Sequence, residues 1–365
     1  MANKAKLIIL FLLLSLITAC PKPQRSQVEY VLGTVCLVNL YESGSDELYS
    51  RIFSRVREID RTMTAFATEF QGLADDTGNF DPDSRAAEAY RNAAGALISG
   101  VVAINRQAGI EPVKIRSELI EVLEKALHYA ELSGGAFDPT VGPLVTLWGI
   151  GTDGERIPAD DEIAAALALV AWRDLVIDKE QGTAFLKREG MALDLGAIAK
   201  GYAADEAVRI AKEEGAKRAV FDFGGNIAVL GWREKKGKES IPWRIGIQNP
   251  QRERGVYIGS LPVHDASVVT SGVYERCFES DGKRYHHILS ITDGYPVENG
   301  LLSVTVVADS SADADALSTA VFAMGYERGK ALIDSVTGAE AIFVFYDNSI
   351  RTTSGLAGIF QNNVR

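Results

Sequence analysis

The sequence has 365 residues, of which 47% are hydrophobic and 24% are charged, so it has the composition of a globular protein and is not a wholly disordered chain. Its formal net charge is -11 and it has no basic patch, so nucleic acid is not expected as a partner. An anionic substrate would have to bind against this overall field, which favours a local metal ion in the site.

Residues 1–20 have the organisation of an export signal. Two lysines precede an apolar run from Leu7 to Ile17, which is shorter than the roughly 20 apolar residues that cross a bilayer. The run ends in Leu-Ile-Thr-Ala-Cys, which resembles a bacterial lipobox, so Cys20 would be acylated and become the first mature residue. The alternative is an ordinary signal peptide or an uncleaved anchor. We expect a lipoprotein anchored to a bacterial membrane, facing the periplasm, with a polar tether over 21–29.

Residues 30–365 are then predicted to form one domain of mixed strands and helices. In chain order, the patterns first predict a strand over 30–41 interrupted at 33–34, a helix over 48–62, a loop over 69–83 and a helix over 117–132 capped by Ser117. A helix over 160–169, a short strand or turn over 191–195 and a helix over 197–214 follow. The last part has predicted strands over 219–223, 243–248, 256–261, 267–270, 286–291 and 301–308, and a helix over 313–324. No regular βαβ repeat is present, so the predicted fold class is α+β.

Asp315 and Thr319 are four residues apart in the last of these helices. Residues at this spacing share a helix face, so a carboxylate and a hydroxyl can converge on one cation. Magnesium prefers such hard oxygen ligands together with substrate phosphates. Alternatively, Asp315 only stabilises the first turn of the helix and Thr319 only packs.

The segment Asp-Leu-Gly-Ala-Ile-Ala-Lys-Gly at 194–201 suits a phosphate. Asp194 can cap a helix or ligate, a glycine permits close approach of the backbone, and Lys200 lies near the start of the helix. The segment is not a P-loop, and an amphipathic helix with a solvated Lys200 is an equal alternative.

Three further segments carry polar or glycine residues at the ends of predicted strands. Gly224-Gly225 permits a ligand to lie against the backbone, or simply makes a tight turn. Thr270-Ser271-Gly272 offers hydroxyls to a phosphate, or likewise makes a turn. Strand alternation would send His286 and His287 to opposite faces, so that one could be a general base and the other structural. Cys36 and Cys277 could pair arithmetically, but the sequence does not show that they meet.

Taken together, these segments resemble the ApbE-type flavin transferases, which are FAD:protein FMN transferases. The resemblance covers most of the mature chain, with matching order and spacing at Leu32-Gly33-Thr34, 133–148, 194–201, 223–226, Thr270-Ser271-Gly272, His286-His287-Ile288 and 314–320. It implies an α+β fold with a mixed sheet-and-helix core, a smaller elaboration, and an active site in the cleft between them.

The resemblance also implies roles for individual residues. Magnesium would be bound by Asp315, Thr319 and the backbone carbonyl of Ala197. FAD would contact Ala136, Phe137, Asp138, Asp194 and Lys200, and the same cleft would be lined by Gly224, Gly225, Thr270, Ser271 and Gly272. His287 would assist proton removal. Leu32 stands where the family usually has methionine, and Phe66 would take the position of an aromatic ring that flanks the nucleotide.

The implied reaction moves FMN from FAD to a threonine hydroxyl of an exported or membrane flavoprotein that carries an Asp-x-x-x-Thr segment, and AMP leaves. Two alternatives stay open from the sequence. One is a magnesium-dependent FAD pyrophosphatase, in which water replaces threonine, and the other is a non-catalytic lipoprotein that binds flavin.

Overall fold

The computed structural model describes residues 26–41, 44–65, 100–237 and 239–362. Cys20, Phe66 and the predicted loop over 69–83 lie outside these ranges, so they stay predictions. None of the helices in these ranges combines the length and the apolar character that a membrane span needs. Cys36 and Cys277 are both free thiols.

The described residues form eight α-helices and eighteen strands. The helices are α1 Asp46–Met63, α2 Gly100–Arg106, α3 Ser117–Leu132, α4 Gly142–Trp148, α5 Asp160–Leu167, α6 Ala199–Glu213, α7 Ser311–Met324 and α8 Tyr326–Ser335. The strands are β1 Ser26–Val31, β2 Thr34–Leu40, β3 Val113–Lys114, β4 Leu175–Asp178, β5 Thr183–Leu186, β6 Ala219–Phe223, β7 Asn226–Leu230, β8 Glu234–Lys236, β9 Glu239–Ile241, β10 Trp243–Gln248, β11 Tyr257–Val263, β12 Ala266–Gly272, β13 Cys277–Ser280, β14 Lys283–His286, β15 Leu301–Ala308, β16 Glu340–Phe345, β17 Ile350–Thr352 and β18 Gln361–Asn362.

An eight-stranded antiparallel sheet is the centre of the molecule. Its order is β1-β2-β6-β7-β12-β15-β16-β17, so strands that are distant in sequence are neighbours in the sheet. Along β2, alternation buries Cys36, Val38 and Leu40, which join the apolar side chains of α1 and α6 in one core cluster. The helix α1 packs on α6, α6 on α7, and α7 on β12 and β15.

Small residues explain how closely the central helices pack. In α6 the buried positions include Ala203, Ala204, Ala207 and Ala211. The side chain of alanine is a single methyl group, so neighbouring helices can approach α6 closely. By contrast, α1 buries the larger Ile52, Phe53, Val56 and Ile59 at helical spacing, and the side chain of Ser45 caps it by accepting from Leu48 N–H at 3.1 Å.

A second, smaller cluster accompanies this core. Leu144 and Trp148 of α4 pack with Ile163 of α5 and with Leu289. The indole Nε1 of Trp148 donates to the carbonyl of Gly294 at 2.8 Å, which ties α4 to the loop after β14. This cluster is the smaller elaboration, and the predicted α+β class is confirmed.

Several predicted element boundaries were wrong. The predicted strand over 30–41 is a hairpin of β1 and β2, and because β1 begins at Ser26, the last four residues of the predicted tether belong to the sheet. Arg116 rather than Ser117 is the N-cap of α3, and no side chain caps this helix. The predicted strand over 286–291 was wrong, because β14 ends at His286 and the backbone then bonds to other loops.

Candidate active site

Two tight turns lie side by side at one end of the main sheet. Leu32-Gly33 joins β1 to β2 with φ of 58° and 65°, and Gly224-Gly225 joins β6 to β7 with φ of 67° and 89°. Positive φ at both central residues is the type I′ pattern, which fits the twist of a hairpin. A Cβ on Gly224 would lie 2.3 Å from Thr34 Oγ1. Glycine at this position therefore allows the two turns to pack closely.

The end of β12 extends beyond the Gly224-Gly225 turn and contains the hydroxyl groups of Thr270 and Ser271. Val269 pairs with Asn226, the first residue after Gly224-Gly225, so 270–272 extend beyond it. Ser271 Oγ lies 2.8 Å from Ser318 Oγ and 3.2 Å from Thr319 Oγ1 of α7. The hydroxyl of Thr270 instead pairs with Thr305 of β15 at 2.8 Å. Because adjacent strand residues face opposite sides, Ser271 rather than Thr270 contacts α7.

A contact between the backbones of α6 and α7 brings the charged residues together. A Cβ on Gly201 would lie 2.3 Å from the carbonyl oxygen of Ser311. Gly201 N–H donates to Asp315 Oδ2 at 3.0 Å, and Lys200 Nζ lies 3.2 and 3.4 Å from the two oxygens of this carboxylate. Lys200 also donates to the carbonyl of Gly196 at 2.8 Å. Asp315 is only 3% exposed, so these donors replace water around its charge.

A second carboxylate holds the same two helices in register. Asp205 of α6 accepts from Ser311 N–H at 2.7 Å and from Ala312 N–H at 3.0 Å, at the first turn of α7. It also accepts from the hydroxyl of Ser310 at 2.8 Å. These bonds satisfy amide groups that have no partner within the helix. The amide groups at the start of a helix favour a negatively charged partner such as the Asp205 carboxylate. Asp205 therefore positions α7 relative to Lys200.

Asp194 lies next to the Lys200–Asp315 pair, in the loop before α6. Its Oδ1 accepts from Gly196 N–H at 2.8 Å, and its own N–H donates to the carbonyl of Pro139 at 2.9 Å. The second bond places the predicted flavin-binding segment 136–138 beside it. Burial raises the pKa of Asp194, and the Gly196 N–H and nearby cations oppose this shift.

The carboxylate of Asp138 is engaged within the protein. Oδ1 accepts from the N–H of Thr140 at 2.8 Å and from its hydroxyl at 2.6 Å, and Oδ2 accepts from Trp172 N–H at 3.1 Å. Both Asp138 and Phe137 are buried. Asp138 thus organises its loop, and of the segment 136–138 only Ala136 is half-buried rather than buried.

The two adjacent histidines have different surroundings. Nε2 of the buried His286 lies 3.0 Å from the carbonyl of Val297. His287 lies beyond the strand, with its Nδ1 3.2 Å from the carbonyl of Arg276. Its ring keeps some exposure to solvent, but desolvation by the surrounding protein lowers its pKa to about 3, with a contribution from the cations Arg276 and Lys200. With the proton on Nδ1, Nε2 is a proton acceptor at neutral pH.

The oxygen atoms around Lys200 suit a magnesium ion. Its ammonium lies between the carbonyl of Gly196 and the carboxylate of Asp315, so these oxygens already accept a cation. Thr319 follows Asp315 by one helical turn, and Ala197 follows Gly196. In the described part of the chain, no group of three or more His, Cys, Asp or Glu could hold a metal. A cation bound beside Asp315 would draw on neighbouring carbonyl and hydroxyl oxygens as well as on this carboxylate, and all of these are hard ligands.

Residues 32–343 match the sequence profile of the ApbE family. The chain belongs to the ApbE family. Relatives in two bacteria are named FAD:protein FMN transferase. The Treponema pallidum protein is 35% identical over 340 residues, which cover 91% of this chain and 87% of that protein. A Klebsiella pneumoniae protein is 34% identical over 324 residues, which cover 89% of this chain and 90% of that protein. The crystal structure of the ApbE protein from Thermotoga maritima aligns with a TM-score of 0.76 at 29% identity, over 92% of this chain and 99% of that one.

The region matched to the ApbE family also contains residues that the sequence patterns did not single out. A Cβ on Gly33 would lie 3.2 Å from Arg276 Nη2, and a Cβ on Gly151 would lie 3.4 Å from Arg276 Cδ. Arg276 therefore extends from the β1–β2 turn to the loop after α4. Asp60 of α1 accepts from Leu32 N–H at 3.2 Å, which fixes the same turn. A cation four residues after Gly272 is a weak signal for Arg276, whereas nothing in the sequence pattern links Asp60 to Leu32.

Proposed function

We propose that this chain is a magnesium-dependent FAD:protein FMN transferase. It moves FMN from FAD to a threonine hydroxyl of an exported or membrane flavoprotein with an Asp-x-x-x-Thr segment, and it releases AMP. The observation that carries the proposal is the convergence of Lys200 and Asp315 beside the Ser271–Thr319 contact, in an ApbE-family chain with relatives of that name.

Lys200 and the neighbouring oxygen ligands have complementary roles in this proposal. Magnesium held by Asp315, Thr319 and the carbonyl of Ala197 would neutralise charge on the anhydride and on the leaving phosphate. Lys200 contacts Asp315, and we propose that its ammonium donates to a phosphate oxygen of FAD and adds a fixed positive charge. Arg276 adds a second cation near the β1–β2 turn.

His287 is the proposed acceptor of the proton. The threonine oxygen forms a bond to the flavin-side phosphorus, and the bond from that phosphorus to the bridging oxygen breaks. AMP leaves with the bridging oxygen, and the hydroxyl proton passes to His287 Nε2. Its lowered pKa keeps the ring neutral at physiological pH, and the negative charge of bound FAD would offset the nearby cations and strengthen it as a base.

We also propose that Cys20 is acylated and that the domain faces the periplasm on a bacterial membrane. The support is the order of charge, apolar run and small residues before Cys20.

The test is a product balance with the chain from residue 21 onward. The protein is incubated with FAD and magnesium, with and without an Asp-x-x-x-Thr acceptor peptide, and AMP, free FMN and modified peptide are quantified. One modified peptide for each AMP, only when magnesium is present, is the expected result. AMP and free FMN in equal amounts, with unmodified peptide, would replace transfer by hydrolysis, and intact bound FAD would reduce the function to binding.

Asp315→Asn tests the proposed metal site, because it keeps the shape of the side chain and removes the carboxylate. We expect this variant to lose AMP release with or without acceptor. Unchanged release would remove the proposed metal site.

A further inference from the structure

The outer face of the β1–β2 hairpin carries exposed apolar side chains. Val28 and Tyr30 alternate along β1 and are 56% and 78% exposed. Val35 lies opposite Tyr30 in the hairpin and is 52% exposed, and the half-buried Leu37 lies opposite Val28. These four residues form one continuous surface, which we call the hairpin patch. A contiguous apolar surface of this kind is typical of a contact with a partner or a membrane.

The other side of the hairpin is attached to the domain. Glu29, which alternates with the patch residues, forms an ion pair with Arg57 of α1, and Val31 is buried in the core. Leu32 N–H is bonded to Asp60 of the same helix. The hairpin patch is therefore held facing outward.

The position of the hairpin in the sequence indicates what covers the patch. Ser26 begins β1 only six residues after Cys20. A chain spans at most roughly 3.3–3.6 Å per residue, so an acylated Cys20 lies within about 20 Å of Ser26. Tyr30 lies about 13 Å further along the strand. An acyl anchor thus keeps the patch within reach of the lipid surface, where tyrosine is a favoured residue.

We infer that the hairpin patch rests on the phospholipid surface of the membrane that holds Cys20. This inference depends on the proposed acylation of Cys20. The hairpin ends in the Leu32-Gly33 turn of the candidate active site, so the contact would hold that site close to the bilayer. An acceptor threonine in a membrane flavoprotein would then have to lie near the lipid surface.

The experiment uses the full, acylated chain in nanodiscs of phosphatidylethanolamine and phosphatidylglycerol. Cys277→Ser removes the half-buried thiol, Cys36 is buried, and Tyr30→Cys is labelled with an environment-sensitive NBD group. Tyr346→Cys is the matched control, because Tyr346 is also an exposed tyrosine, at 54%, and follows β16 near the opposite edge of the sheet. Six strand spacings separate β1 from β16, which is about 29 Å.

The label at Tyr30 should shift to shorter wavelength and lose at least half its intensity when the lipids carry a shallow spin-label quencher. The label at Tyr346 should do neither. An acylated, nanodisc-bound protein with an unquenched label at Tyr30 would overturn the membrane contact alone, whereas a protein whose Cys20 carries no lipid by mass spectrometry would remove the anchor and this inference together. A concentration-dependent shift in the soluble chain would assign the patch to a second copy and overturn the inference. Val35→Cys provides a second reporter if Tyr30→Cys lowers the unfolding midpoint.

Discussion

Gly201→Ala is a small substitution at the contact on which the candidate site depends. The added Cβ would lie 2.3 Å from the carbonyl oxygen of Ser311 and 2.6 Å from Ala312 Cα. Carbon and oxygen atoms approach no closer than about 3.3 Å without strain, so α6 and α7 must separate by about 1 Å. Overpacking of this kind costs about 1–3 kcal/mol. The same shift moves Asp315 away from Lys200, and a displacement near 1 Å costs about 10²-fold in rate.

Stability and turnover are measured together for this variant. Urea unfolding gives the free energy of unfolding, and magnesium-dependent AMP release from FAD gives kcat and KM. Gly154→Ala is the control, because the nearest atom to its added Cβ is Thr152 Oγ1 at 3.6 Å, and it should change stability by less than about 0.5 kcal/mol. A Gly201→Ala protein that loses stability but keeps full turnover would refute the dependence of the chemistry on this helix contact.

Three other predictions concern the same region. Gly224→Ala should lower the free energy of unfolding in urea by about 1–3 kcal/mol more than Gly225→Ala does. Both glycines have positive φ, but an added Cβ meets Thr34 at Gly224 and nothing within 4 Å at Gly225. Equal losses of stability would contradict the packing of the two turns. Lys200→Met should lower kcat/KM for AMP release by about 10²–10³, whereas Lys179→Met, at an exposed ion pair, should not; similar values for the two variants would remove Lys200 from the chemistry. The pKa of His287 is lowered to about 3, so its ring stays neutral as the pH falls from about 7.5 to 5. Over this range kcat/KM should therefore show no loss from this group. A loss near pH 6.5 that disappears in His287→Asn would contradict the lowered pKa.

Local patterns predicted the regular elements well. The helix over 117–132 and the strands over 219–223, 243–248 and 301–308 have the predicted bounds, because apolar periodicity is strong there. The pattern predicted an interruption at 33–34 but not a hairpin turn at Leu32-Gly33, because this turn carries leucine rather than asparagine or glycine at its first position. Leu32 adopts φ of 58°, where it is held by strand pairing and by the hydrogen bond that its N–H donates to Asp60. The pairing of β2 with β6 and of β7 with β12 joins distant strands, which periodicity does not encode.

The candidate site shows the same division between local and distant information. The spacing of Asp315 and Thr319 predicts a shared helix face, but the partner of Asp315 is Lys200, 115 residues away. The family resemblance grouped these residues, and the structure gives the physical reason, which is the close approach of α6 and α7 at Gly201. Asp205 and Arg276 were not predicted, because their contacts depend on how separate elements pack.

The most direct test of FMN transfer is the mass of an acceptor protein after incubation with this chain, FAD and magnesium. The proposal predicts a gain equal to one FMN less one water, located on the threonine of the Asp-x-x-x-Thr segment, and no gain when that threonine is replaced by valine or when the enzyme carries Asp315→Asn. An unmodified threonine with the unaltered enzyme, under conditions in which FAD is bound, would contradict it.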